Sequence, residues 1–308
     1  MTPLDFLGDY TLRSILLGSA LLGLVAGTLG TFSVLRRQSL IGDTVAHAAL
    51  PGICAAFLLT GTRDTLGLLL GGGVSGLAAS LLALAILRYS RLKEDAALGV
   101  TFSAFFGVGI AMLTAIGKGG NAAQAGLDKF LFGQAAALTQ GDVIRFALLG
   151  ALALGTAALL HKELKVTLFD PDFARVQGWP VPALTALSTA LTVLAVMIGL
   201  QTVGVVLMAA MLIAPAVAAR QWTRSLSGML GLAGALGALS GALGAGLGLS
   251  VSPGAGSLPT GAVTVLAATA LAVLSLLVAP RRGVLAGVVR QRRVRARLLR
   301  GSNSGGRA

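Results

Sequence analysis

Apolar residues run along the chain in blocks of about twenty, separated by short polar or glycine- and proline-bearing connections. A helix needs about 20 apolar residues to cross the hydrocarbon core of a bilayer. By that length the blocks predict spans near 14–35, 40–60, 65–87, 96–116, 142–160, 182–200, 203–219, 225–249 and 260–279. The stretch 182–219 is too long for one helix, and its predicted break is the polar pair Gln201–Thr202. Segments 40–60 and 117–141 leave room for re-entrant or interfacial pieces. The fold class expected is therefore all-α, a polytopic membrane protein of about nine transmembrane helices. The membrane-spanning domain covers 1–280, and an Arg-rich tail covers 281–308.

Composition narrows the function. Of the residues 55% are hydrophobic and 11% charged, and the mean hydropathy is +0.87. A soluble domain carries about a quarter charged residues, so soluble enzymes, disordered tails and nucleic-acid modules are excluded as starting points. The 43 glycines follow no triplet period, which removes collagen, and one cysteine closes no internal disulfide. The amino terminus does not read as a cleavable signal. Asp5 and Asp9 spoil a basic n-region, and the first apolar run exceeds the about 7–15 residues of an h-region.

Charge sets the orientation. Lys and Arg number 24 against 11 acids, a net +13, and nine of the arginines lie between Arg281 and Arg307. No aromatic residue interleaves the tail, and it directly follows an apolar span. It reads as an inside segment lying on anionic lipid rather than a nucleic-acid arm. With the amino terminus outside, 19 basic residues face the cytosol and five (Arg13, Arg63, Lys118, Lys129, Arg145) face outward. That asymmetry is the positive-inside bias. The carboxyl terminus is then cytoplasmic.

Two connections exceed a turn. Gly117–Gly141 lies outside, and its mixed stretch Leu127–Gly133 suits an interfacial helix. His161–Pro180 lies inside and contains Asp170-Pro171-Asp172-Phe173-Ala174-Arg175. Asp170 suits a cap, Pro171 the first helical position, and Gly178 and Pro180 a stop after about two turns. Such a short cytosolic helix is either a docking element or a plain capped connection. In the eighth span, glycines at 228, 231, 234, 237, 241, 244 and 248 line one face. They predict close helix packing, as do the pairs Gly23/Gly27 and Gly72/Gly76.

Of the acids, only Asp43 sits inside an apolar segment, and His47 follows four residues later. That spacing puts carboxylate and imidazole on one helix face. Intramembrane ionisable residues mark a partner or a transport path, and an N/O donor pair suits a divalent transition ion. The alternative is that Asp43 caps the helix and His47 is its local hydrogen-bond partner; spacing alone does not decide. Cys54 continues the face, although Pro51 and Gly52 are expected to interrupt the helix there; a buried cysteine is usually apolar filler. Met208 and Met211 read as core. Glu94 and Asp95 open the fourth span, where acids favour the helix dipole. The sequence lacks a Walker-A motif, so any ATP-driven transport requires a separate nucleotide-binding chain.

These motifs resemble the permeases of bacterial ABC-type manganese/zinc/iron importers. The matching blocks run in family order: Ser39-Leu40-Ile41-Gly42-Asp43 through His47 to Leu50-Pro51-Gly52; Lys93-Glu94-Asp95-Ala96-Ala97-Leu98-Gly99; Leu131-Phe132-Gly133; Phe169 through Arg175; and Gln201-Thr202-Val203-Gly204 through Leu212-Ile213-Ala214-Pro215 to Ala219. The resemblance implies a permease fold working as a dimer with a second copy of itself in the cytoplasmic membrane. Two ATP-binding subunits would sit underneath, and a metal-binding receptor would dock outside. It implies that Asp43 and His47 contact the metal in transit. It makes Asp170, Pro171, Asp172, Phe173, Ala174 and Arg175 the coupling helix. No permanently bound cofactor is expected, only the transported Mn, Zn or Fe, and Leu50-Pro51-Gly52 leans toward manganese-type members. Membrane lipids are expected partners and nucleic acid is not. The rival readings are a permease for a metal chelate or cobalamin, and an ATP-independent secondary metal transporter.

Overall fold

The computed structural model describes residues 10–38, 40–61, 64–118, 133, 138–200, 202–250, 259–280, 283 and 285–286. Eleven helices occur among them: α1 (Tyr10–Leu35), α2 (Ile41–Thr60), α3 (Thr65–Tyr89), α4 (Glu94–Lys118), α5 (Gln140–Leu159), α6 (His161–Phe169), α7 (Pro171–Val176), α8 (Val181–Leu200), α9 (Val205–Trp222), α10 (Leu226–Ser250) and α11 (Thr260–Val278). Each of the nine expected spans coincides with one helix. Eight are long and apolar enough to cross a membrane. The exception is α9, whose apolar part runs Leu207–Trp222. At 1.5 Å per residue it reaches about 24 Å, short of a hydrocarbon core of about 30 Å. It packs against α1, α2, α10 and α11, and Met208, Met211 and Leu212 are fully buried. Neighbouring helices rather than lipid surround this shorter element.

The predicted break at Gln201–Thr202 is present. α8 stops at Leu200, Thr202 Oγ1 donates to the Gly199 carbonyl at 3.1 Å, and Gly204 takes φ +85° before α9 begins. Gly133, itself at φ +69°, lies so close that a Cβ there would stand 2.4 Å from the Gly204 nitrogen. Two motifs 70 residues apart thus meet backbone to backbone. The expected interfacial helix at 127–133 lies outside the described residues except for Gly133, as does most of the Arg-rich tail.

Helix ends follow their capping chemistry. Asp64 accepts from the Gly67 amide to start α3, and Thr139 with Asp142 forms a capping box on α5. The interior is built from α1, α2 and α8, where 61–67% of the apolar window is buried. α4 and α5 bury only 22% and turn leucines, valines and isoleucines outward, as lipid-facing helices do.

The glycine stripe of α10 is not one contact. Gly237 and Gly241 press on α1, where a Cβ would stand 2.0 Å from the carbonyls of Gly23 and Ser19. Gly244 and Gly248 face Thr264 and Thr260 of α11, whereas Gly231 has nothing within 4 Å. The segment His161–Pro180 departs from expectation in containing two helices. α6 continues from α5, burying Leu164 and Thr167. Its low apolar content hid it among polar residues.

Candidate functional site

The pair singled out by sequence sits in the first two turns of α2. Asp43 Oδ1 and His47 Nε2 are 3.4 Å apart, with the His47 side chain 16% and the Asp43 side chain 40% exposed. The capping alternative fails for Asp43. The residue preceding the helix is Leu40, with no side-chain cap bond, and Asp43 lies within the first turn. There it gains only from the dipole, about 0.3–1 kcal/mol.

The imidazole is held by aromatic packing. Phe102 and Phe106 of α4 present edges to it, with ring centroids at 4.9 and 4.7 Å and interplanar angles of 82° and 83°. The two phenyl rings stack on each other at 5.6 Å. His47 Nδ1 is buried without a hydrogen-bond partner, so ring orientation rests on these contacts and on Asp43. Sequence reasoning missed Phe102 and Phe106. They are ordinary apolar residues of a span, and only the α2–α4 packing makes them neighbours of His47.

The donor spacing has a chemical reading. Two ligand bonds of about 2.1 Å meeting at a tetrahedral angle separate their donors by about 3.4 Å, and at a right angle by about 3.0 Å. The 3.4 Å between Nε2 and Oδ1 equals the separation that two donors of one first-row divalent ion would take. Among the described residues no cluster of three or more His, Cys, Asp or Glu is found, so none of these residue types joins the pair as a third donor.

Cys54 is not part of the group. It lies seven residues beyond His47, about 10 Å along the axis. It is fully buried, with its thiol 4.0 Å from the Gly109 carbonyl. The expected interruption at Pro51 and Gly52 does not occur, since α2 is continuous through both. Ser75 of α3 donates to the Ala48 carbonyl at 2.7 Å beside the proline, and Gly52 packs on the Gly71 backbone. Met208 and Met211 are core, as read.

At the other end of the fold, Asp170 Oδ1 accepts from the Phe173 amide at 2.9 Å, Pro171 opens α7, and Gly178 terminates it at φ +80°. Asp172 pairs with Arg175 at 2.5 Å. Only Ala174 of this helix is buried. Phe173 is 50% and Val176 87% exposed, an apolar face turned away from the bundle. α7 leads directly into α8. There Arg36, from the α1–α2 connection, donates to the Thr185 carbonyl at 3.3 Å. Gln38 of the same connection donates to Glu94 of α4. Burial pulls the Arg36 guanidinium below its usual range, and the charge of Glu94 partly offsets this. These bonds tie the connection that leads into the Asp43 helix to α8, the helix that follows α7, and to α4. Glu94 thus does more than face the dipole of α4.

Residues 8–279 match the ABC 3 transport family. The chain is 46% identical to the zinc transport system membrane protein TroC of Treponema pallidum, over 93% of this chain and 95% of that one. It is likewise 46% identical to the manganese transport system membrane protein MntC of Bacillus subtilis, over 93% of this chain and 65% of the other. Among solved structures it is similar to PsaBC from Streptococcus pneumoniae in complex with Fab. The TM-score there is 0.78 and the identity 32%, over 91% of this chain and 96% of that chain.

Proposed function

The chain belongs to the ABC 3 transport family, and from that membership we infer that it is the membrane-spanning permease subunit of an ATP-driven importer of manganese or zinc. It is not itself the ATPase; hydrolysis belongs to separate partner chains. We further propose that Asp43 and His47 form its metal path. The observation that carries this is the pair itself: the one acid–imidazole pair inside a predicted span, with donors 3.4 Å apart. A transport site must release what it binds, so a two-donor N/O set completed by water or by the same pair of a second copy suits transit better than a closed thiolate cage. Both ions fit these donors, and the Leu50-Pro51-Gly52 sequence favours manganese. Cells expressing the chain with its ATPase should accumulate Mn²⁺, with Zn²⁺ as competitor. Accumulation no higher than in cells without it would overturn the reading.

In this reading α7 is the coupling helix. The relevant surface is Phe173, Val176 and the Asp172–Arg175 pair, held in shape by Asp170 and Pro171, with Ala174 seated inward. Phe173→Asp should leave the permease folded, because the ring is half exposed and contributes little to the bundle. Buried aromatic anchors dominate interfaces, so co-purification of the ATPase should fall about tenfold or more. Wild-type recovery of the ATPase with normal uptake would remove α7 from the interface.

The orientation places the amino terminus outside and α7 in the cytosol, with a metal-binding receptor docking on the outer side. In a Cys54→Ser background, Ser90→Cys and Gln177→Cys should react with an impermeant thiol reagent only from the cytosol, and Lys118→Cys only from outside. Reaction of Lys118→Cys and Gln177→Cys from the same side would refute it.

A further inference from the structure

Where the last turn of α3, the coupling helix α7 and the first turn of α8 meet, the structure holds an open cavity of about 630 Å³. Its lining is graded. Arg88 and Tyr89 of α3, Arg175 of α7 and Val181 at the start of α8 stand at one end, and Leu81 and Leu84 carry the apolar lining on along α3. Leu84 and Leu81 lie one and two turns back from Arg88, so the apolar wall reaches about 10 Å toward the membrane centre. Tyr89 is 82% exposed, and Arg88 lies over its ring at 5.7 Å. A tyrosine so placed sits at headgroup level. Among the described residues no carboxylate lines the cavity; Asp172 pairs with Arg175 from outside the lining.

We propose that this groove is a binding site for an anionic phospholipid, its phosphate held by Arg88, with Arg175 at the rim paired to Asp172, and its acyl chain laid along Leu81 and Leu84. Guanidinium groups are the preferred partners of phosphate oxygens, and basic pockets between spans on the cytoplasmic side are the sites that anionic headgroups take. Charge excludes the chain's own tail as occupant, because it carries nine arginines and no acid. The groove touches the helix that we read as the coupling element, so a bound lipid would contact the moving part. The inference does not depend on which metal is carried, or on Asp43 and His47.

The test is native mass spectrometry of the full-length permease with its ATPase, recovered from vesicles of equimolar phosphatidylglycerol and phosphatidylcholine. The wild type should retain phosphatidylglycerol in preference. Arg88→Gln should lower that retention about fivefold, the factor for one basic residue near an anionic surface. Ala85→Trp, which fills the groove without touching charge, should displace the lipid while the complex stays intact. Equal retention of the two lipids, or unchanged retention in both variants, would overturn the site. So would loss of the ATPase in Arg88→Gln with lipid unchanged, which would make the groove a protein-docking surface.

Discussion

Asp43→Asn should abolish metal uptake while leaving the permease folded and assembled with its ATPase. The stability cost is small on two counts. Asp43 supplies no cap bond, and its side chain is 40% exposed, so a neutral amide strands no buried partner except the His47 contact. What is lost is a charged oxygen donor. Changing a group that merely supports a metal ligand costs about 10–100-fold in affinity or activity, so removing a donor from a two-donor set should lower uptake by about 100-fold or more. His47→Gln should behave alike, since the amide replaces a ring packed against Phe102 and Phe106 and cannot present the same nitrogen. Uptake of radiolabelled Mn²⁺ and Zn²⁺, normalised to protein in the membrane, is the measurement. Near-wild-type accumulation of both ions by both variants would leave the pair with a structural role alone.

Gly237→Val should prevent the bundle from forming. A Cβ at 237 would stand 2.0 Å from the Gly23 carbonyl oxygen, and the reverse contact, a Cβ at Gly23 against the Gly237 carbonyl, is equally short. Both obstacles are backbone, so no side chain can swing away, and α1 and α10 would have to part along the most extensive helix pair among the described residues. Overpacking commonly costs about 1–3 kcal/mol, and more where the obstacle is rigid. In a membrane, helices adhere by close packing rather than by exclusion from water, so a separated pair has little else to hold it. Gly231→Ala is the matched control. It lies on the same glycine stripe, exposed and with open space around it. It should be tolerated, and helix propensity favours it by about 0.5–1 kcal/mol. Yield of monodisperse protein and thermal unfolding in detergent read out both. A well-folded Gly237→Val protein would mean that α1 and α10 are not packed as described.

The contrast between Gly231 and Gly237 shows where sequence reading stops. Period identified the stripe, but six of its seven glycines divide among α1, α11 and open space while Gly228 faces Ser225 and Thr223 of the preceding connection, and the positions of the neighbouring helices sort the six. Helix α7 was legible almost to the residue, because Asp170, Pro171 and Gly178 act through bonds within a few residues of themselves. α6 was not, because only Leu164 and Thr167 of it are buried, and two buried positions among polar residues leave no apolar period to read.

By itself the sequence determined the spans, since length and apolarity are the very properties that hold a helix in a bilayer. It also determined the Asp43–His47 pairing, because four residues on a helix set the two side chains side by side whatever surrounds them. Tertiary structure alone decided that Phe102 and Phe106 of α4 hold the imidazole, that Arg36 and Gln38 tie the α1–α2 connection to α8 and α4, and that Gly133 meets Gly204. Each of these depends on helices brought together across long stretches of chain. Apolar residues within a span all satisfy the lipid equally well, so nothing local marks the ones that will face a partner. Only the packing of the other helices distinguishes them.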